Sequence, residues 1–124
     1  MKAAIILTIK KNRDFHFLYR RGMSCVSDNL VTYVIKRRRS ELNRLGITTS
    51  KKVGCAVRRN RARRVIKESY RKLLPCMYKG CDVVFVARTR TSSVSSNEIF
   101  ASMQKHLNRL GCIKKSETFV SRTD

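Results

Sequence analysis

The sequence predicts an α+β fold, a single-domain α/β sandwich with one small four-stranded sheet and three helices. Three observations point there. Apolar residues recur at three- and four-residue spacing in two separate segments, Ala62, Val65, Ile66, Tyr70, Leu73 and then Ile99, Phe100, Met103, Leu107, Leu110, as they do along the inner face of a helix. Short β-branched runs at Leu30 to Ile35 and Val83 to Val86 lie between these helical patterns and read as strands. The chain has 124 residues, 42% of them hydrophobic, which is enough for one core and hardly for two.

Along the chain, the apolar run Ala3 to Ile9 precedes Lys10 and Lys11. It is too short to span a membrane and lacks a cleavage-like site, so it is expected to pack onto the core. Asn12 is the expected cap of a first helix that puts Phe15, Leu18 and Tyr19 on one face and stops at Gly22. The strand Leu30 to Ile35 runs into the basic loop Lys36 to Arg39, which reads as solvated. Leu45 to Ser50 reads as a further strand. It leads through Lys51-Lys52-Val53-Gly54 into a basic helix that Pro75 closes. Asp82 to Arg88 has the continuous apolar character of a buried strand, and Ser95-x-x-Glu98 is a capping box for the last helix, with Gly111 beyond its end. The expected domain spans residues 1–113, and the polar stretch 114–124 reads as a disordered tail. Strand, basic helix and strand form a β-α-β unit, for which the general rule is a right-handed crossover.

The function is written mainly in the charge. Net charge is +21, a self-repulsion that docking on a polyanion would relieve. The densest cationic stretch, Lys51 to Glu68, also carries a helix pattern. At about 100° per residue, Asn60, Arg63, Arg64, Lys67 and Arg71 share one arc, while Ala62, Val65, Ile66, Ser69 and Leu73 share the opposite one. Guanidinium groups held in a row suit phosphate oxygens taken two at a time. The start of the same helix, Val57 to Asn60, would add backbone N–H groups and the positive end of the dipole. The competing reading is a basic face that is merely solvated.

Five cysteines, at 25, 55, 76, 81 and 112, form no paired framework and read as reduced thiols of a cytoplasmic protein. Cys76 and Cys81 have a spacing found in some zinc sites, but His16 and His106 lie far away in sequence, and no metal site is expected. The eight acids stand at 14, 28, 41, 68, 82, 98, 117 and 124. None is close to another, as metal-dependent phosphodiester hydrolysis by the protein itself would need. His16 and His106 each sit among cations on a helix and read as surface residues, so no catalytic residue is assigned.

The stretch Leu45-Gly46-Ile47-Thr48-Thr49-Ser50-Lys51-Lys52-Val53-Gly54-Cys55-Ala56-Val57-Arg58-Arg59-Asn60-Arg61-Ala62-Arg63-Arg64-Val65-Ile66-Lys67-Glu68 closely resembles the signature of the bacterial ribonuclease P protein component. The similarity extends from about Leu7, through Asp14-Phe15 and Tyr19 to Gly22, as far as Leu110. The resemblance implies a small basic subunit that joins a catalytic RNA and assists endonucleolytic removal of the 5′ leader of precursor tRNA. The RNA, with bound Mg2+, would carry the chemistry. It further implies that Arg59, Asn60, Arg61, Arg63, Arg64 and Lys67 face the catalytic RNA. Phe15, Tyr19, Tyr33 and Lys52 would then form a cleft for the single-stranded leader, where unstacked bases lie on aromatic faces beside a cation. From spacing alone, Phe15 and Tyr19 read as core.

Arg63 stands where the family often has lysine, Lys67 where it often has arginine and Tyr19 where phenylalanine is frequent, so charge or ring is kept. Thr49 replaces a common apolar strand residue. The family fold carries a left-handed β-α-β crossover, against the general rule. The expected partners are the catalytic RNA and precursor tRNA, with no membrane and no small-molecule substrate. The alternative is a non-catalytic structural RNA-binding protein, such as a ribosomal one.

Overall fold

The computed structural model describes residues 6–37 and 39–114. The expected tail at 114–124 therefore lies outside the described residues apart from Lys114, as do residues 1–5 and Arg38 of the basic loop. In chain order the elements are β1 (Leu7–Thr8), α1 (Asn12–Arg21), β2 (Met23–Ser27), β3 (Leu30–Lys36), β4 (Arg44–Thr48), α2 (Ala56–Leu73), β5 (Cys81–Ala87) and α3 (Ser96–Arg109). Short 3-10 turns occupy Lys51–Val53, Leu74–Cys76 and Thr89–Ser92.

The sheet has five strands in the order β1-β4-β5-β3-β2, one more than the four expected. The addition is β1, whose two exposed residues pair parallel with Arg44 and Leu45 of β4. Two residues are too few to show a period of two, so β1 exists only through its partner strand. β5 lies at the centre, parallel to β4 and antiparallel to β3. Helices cover both of its faces, and this is why Cys81 to Phe85 are buried without alternation.

On one face α2 and α3 bury Ala62, Ile66, Tyr70, Leu73, Ile99, Met103 and Leu107 against Leu30, Val34, Val83 and Phe85. On the other, α1 sets Leu18 against Ile9 and Val84, with Phe15, Tyr19 and Tyr33 partly buried around them. The sandwich is thus α1, sheet, then α2 with α3.

Local chemistry moves some boundaries. β4 ends at Thr48, short of the expected Ser50, because the Ser50 hydroxyl accepts the Lys52 N–H at 3.3 Å and caps the turn that follows. Asn12 is the first helical residue of α1, and Lys11 holds the cap position expected for it. Ser95 does cap α3, its Oγ accepting the Glu98 N–H at 3.2 Å. Pro75 lies just past α2, in the first turn of a 3-10 segment, where its missing N–H costs nothing.

His106 is a correction to the surface position expected of it. It is 3% exposed, and its Nδ1 lies 2.8 Å from Thr32 Oγ1 on β3 in a buried hydrogen bond. Its cationic neighbours Lys105 and Arg109 suggested solvent, yet it falls in the apolar arc of α3 between Met103 and Leu107. Burial first, then the charges of Arg109 and Lys105, lower its pKa. The imidazole therefore stays neutral in the folded protein to lower pH than in the unfolded chain. Below about pH 6.5 the unfolded chain takes a proton that the folded protein refuses, so stability falls by at most about 1.4 kcal/mol per pH unit from this group. Urea unfolding at pH 7.5 and 5.5 should show a larger drop for the wild type than for His106→Gln. Equal drops would contradict this reading.

Candidate nucleic-acid interface

The cationic arc of α2 is present as the helical spacing predicts. Ala62, Val65, Ile66, Ser69 and Leu73 are buried, while Asn60, Arg63, Arg64 and Lys67 are exposed on the opposite side. These four side chains line a cavity of about 430 Å³ together with Thr8, Ile9, Phe15, Leu45, Gly46 and Ile47.

The cavity exists because β1 is short. β1 covers β4 only as far as Leu45, and the Ile9 N–H donates to the Leu45 carbonyl at 2.8 Å where the pairing ends. Beyond that point the outer edge of β4 from Gly46 to Thr48 has no strand partner among the described residues. The opening beside it joins the α1 side of the sheet to the α2 side. Hydrogen-bond donors and an aromatic ring thus meet in one concavity.

Gly46 is the cavity floor, and sequence reasoning missed its role. A Cβ there would lie 2.7 Å and 2.9 Å from Phe15 Cε1 and Cζ. Only a hydrogen at this position lets the Phe15 ring lie on the strand. From Phe15 a row of rings crosses the sheet. Tyr19 stands 6.5 Å from Phe15 with planes at 44°, and Tyr33 stands 5.1 Å from Tyr19 at 68°. The Tyr19 hydroxyl is fixed 2.7 Å from Thr48 Oγ1 on β4. All three rings are half-buried, each with one side in the core and one side open. The buried sides pack on Ile9, Leu18 and Val84, and the open sides are available to stack.

Lys52 is exposed in the turn after β4, and its carbonyl accepts from Thr89 Oγ1 at 3.4 Å. It is not among the residues lining the cavity.

Arg59 and Arg61 also diverge from the arc. At about 100° per residue they lie to either side of Asn60. The Arg59 Nη1 donates to the Gly54 carbonyl at 3.1 Å. Arg61 donates through Nε to the Ser92 carbonyl at 3.0 Å and through Nη2 to that of Val94 at 3.3 Å. Arg61 therefore straps α2 to the segment entering α3. Arg71 leaves the arc as well, paired with Glu68 at 2.6 Å on the surface.

One ion-pair network holds the α1 wall of the site in place. Arg44 and Asp82 are register partners on β4 and β5. Arg44 Nε and Nη2 donate to the two carboxylate oxygens of Asp82 at 3.0 and 2.6 Å. Its Nη1 is 3.8 Å from Asp14 Oδ2 on α1, and Arg37 approaches Asp82 at 3.6 Å. The hydrogen bond to Asp82 is the main cause of the raised Arg44 pKa.

A family model described as Ribonuclease P matches residues 6–111. A "Ribonuclease P protein component" from Clostridium botulinum (strain Langeland) is 44% identical over 104 residues, covering 83% of this chain and 93% of the relative. The protein of that name from Clostridioides difficile (strain 630) is 40% identical over 102 residues, covering 82% and 89%. Among solved structures, the RNase P protein of Staphylococcus aureus superposes with a TM-score of 0.78 at 29% identity, covering 89% of this chain and all of that one, 100%. That of Thermotoga maritima superposes with a TM-score of 0.69 at 26% identity, covering 79% and 92%. With a family match across nearly the whole described chain, and the same fold in solved relatives, the chain belongs to the ribonuclease P protein component family.

Proposed function

We propose that this chain is the protein subunit of a ribonuclease P ribonucleoprotein. It binds the catalytic RNA and the 5′ leader of precursor tRNA, and assists the endonucleolytic cut that produces the mature tRNA 5′ end. The observation that carries the site assignment is the shared cavity, where Asn60, Arg63, Arg64 and Lys67 meet Phe15 at the open edge of β4. In this reading the α2 arc takes phosphates of the catalytic RNA. Phe15, Tyr19 and Tyr33 stack leader bases, with Lys52 in the turn after β4 as a backbone contact. Arg59 and Arg61 contribute mainly by shaping α2, since their guanidinium groups are engaged with backbone carbonyls.

Hydrolysis is assigned to the RNA and to Mg2+ bound on it. Among the described residues, the acids do not fit a magnesium site. Asp14 and Asp82 flank Arg44, and Asp28, Glu41 and Glu68 pair with Arg90, Lys79 and Arg71. His106 is buried against Thr32 and out of reach of a substrate. The ribosomal-type alternative is displaced by the family match and gives no reason for the row of rings. Among the described residues no helix is long and apolar enough to cross a membrane. Cys25, Cys55, Cys81 and Cys112 are free thiols, which supports a cytoplasmic location.

Tyr19→Ala should weaken binding of the reconstituted holoenzyme to leader-bearing precursor by about 5- to 150-fold, the range for loss of one stacked base. Mature tRNA should bind almost unchanged. Tyr19→Phe, which removes only the hydroxyl bonded to Thr48, should lie near the wild type. Equal losses on precursor and mature tRNA, measured by equilibrium binding, would contradict the placement of the leader on these rings.

A further inference from the structure

Helix α1 has a second face that the cleft does not use. Relative to the inward residues Phe15, Leu18 and Tyr19, steps of about 100° bring Arg13, His16, Phe17, Arg20 and Arg21 together on the outside. All five are exposed, and the Phe17 ring is 49% exposed. The helix's single acid, Asp14, is turned toward Arg44 and does not neutralise this face. None of the three arginines has an ion pair or side-chain hydrogen bond among the described residues. His16 meets the Tyr19 ring edge-on at 6.3 Å, so the outer face is continuous with the row of rings in the cleft.

We infer that this outer face is a second RNA contact, in which Phe17 stacks an unpaired base and Arg13, Arg20 and Arg21 hold the phosphates on either side of it. The inference rests on the ribonuclease P reading and extends it to residues outside the cleft. A lone ring between unpaired guanidinium groups suits a nucleotide, which offers one flat apolar face and a charge at each end. A protein partner would want a broad apolar patch, and on this helix Phe17 stands alone. The RNA segment belongs either to the catalytic RNA or to the precursor, whose strand would leave the cleft over His16.

The test uses the full chain, with Phe17→Ala and the double variant Arg13→Gln/Arg20→Gln. Circular dichroism melting first confirms the fold. Filter binding then gives affinity for the ribonuclease P RNA, and holoenzyme binding gives affinity for precursor with long and short leaders. Phe17→Ala should lose at least about fivefold in one arm. The double variant should lower the salt slope of log K in the same arm by roughly 1.4, as for two single-strand phosphates. Loss in the first arm places the segment on the catalytic RNA, and loss only with long leaders places it on the precursor.

Folded variants with unchanged affinity and slope in both arms would overturn the inference. So would a change confined to self-association of the free protein, which would make this face a protein contact. Should Phe17→Ala fail to fold, the slope of the double variant decides. Wild-type holoenzyme cleavage, assayed in parallel, keeps failure of this inference distinct from failure of the ribonuclease P reading.

Discussion

Replacing Arg63, Arg64 and Lys67 together by alanine should lower affinity for the ribonuclease P RNA about a hundredfold or more, while leaving the melting temperature near that of the wild type. The three side chains project into the cavity at the open edge of β4, and none takes part in an ion pair or hydrogen bond within the described residues. Removing them therefore strands no buried partner, and alanine is the better helix former at each position. Charge-assisted hydrogen bonds contribute roughly 1 kcal/mol or more apiece, so three give at least two orders of magnitude. If each meets a duplex phosphate, the slope of log K against log salt should fall by about 2.7. An affinity loss with an unchanged slope would mean that the arc acts by shape rather than by neutralising phosphate. No affinity loss would return α2 to the solvated-face reading.

Arg44→Ala should cost about 3 kcal/mol of folding stability, a large effect for one side chain outside the apolar core. Asp82 is only 4% exposed and receives two of its hydrogen bonds from Arg44 at 3.0 and 2.6 Å. Removing one partner of a buried ion pair leaves the other charge uncompensated, at about 3–5 kcal/mol. Arg37, 3.6 Å from the same carboxylate, offsets part of this and sets the expectation at the lower end. The double variant Arg44→Ala/Asp82→Ala should recover some of the loss, because the stranded charge is gone. Urea unfolding of the three proteins gives the comparison. A loss below about 1 kcal/mol for the single variant would mean that the pair behaves like an exposed one. Because Arg44 also reaches Asp14, the variant should loosen α1, and with it the Phe15 wall of the cleft.

The parts of this molecule that were legible in the sequence are those whose pattern repeats within one element. The two faces of α2 follow from its period, the cap at Ser95 from its spacing to Glu98, and the burial of β5 from its unbroken apolar run. Features that depend on a partner distant in sequence were not legible. β1 is a strand only because β4 lies beside it. Arg44 and Asp82 form a pair only because the β4–β5 register sets them opposite each other. Gly46 matters only because Phe15 arrives above it. His106 is instructive in another way, since its position in the apolar arc of α3 indicated burial while its charged neighbours drew attention to solvent.

The candidate site divides along the same line. Asn60, Arg63, Arg64 and Lys67 are common to the helical arc and to the cavity lining. Arg59 and Arg61 were assigned to the RNA face by resemblance alone, and their hydrogen bonds to Gly54, Ser92 and Val94 turn them toward the protein. Spacing could not decide between core and cleft for Phe15 and Tyr19, because each ring is only partly buried.

The most direct test of the central claim is cleavage of a 5′-extended precursor tRNA at low Mg2+, with a bacterial ribonuclease P RNA alone, with this protein alone and with the two together. The account predicts no cleavage by the protein, weak cleavage by the RNA and strong stimulation when both are present. Cleavage by the protein alone, or no stimulation of the RNA despite tight binding to it, would contradict it.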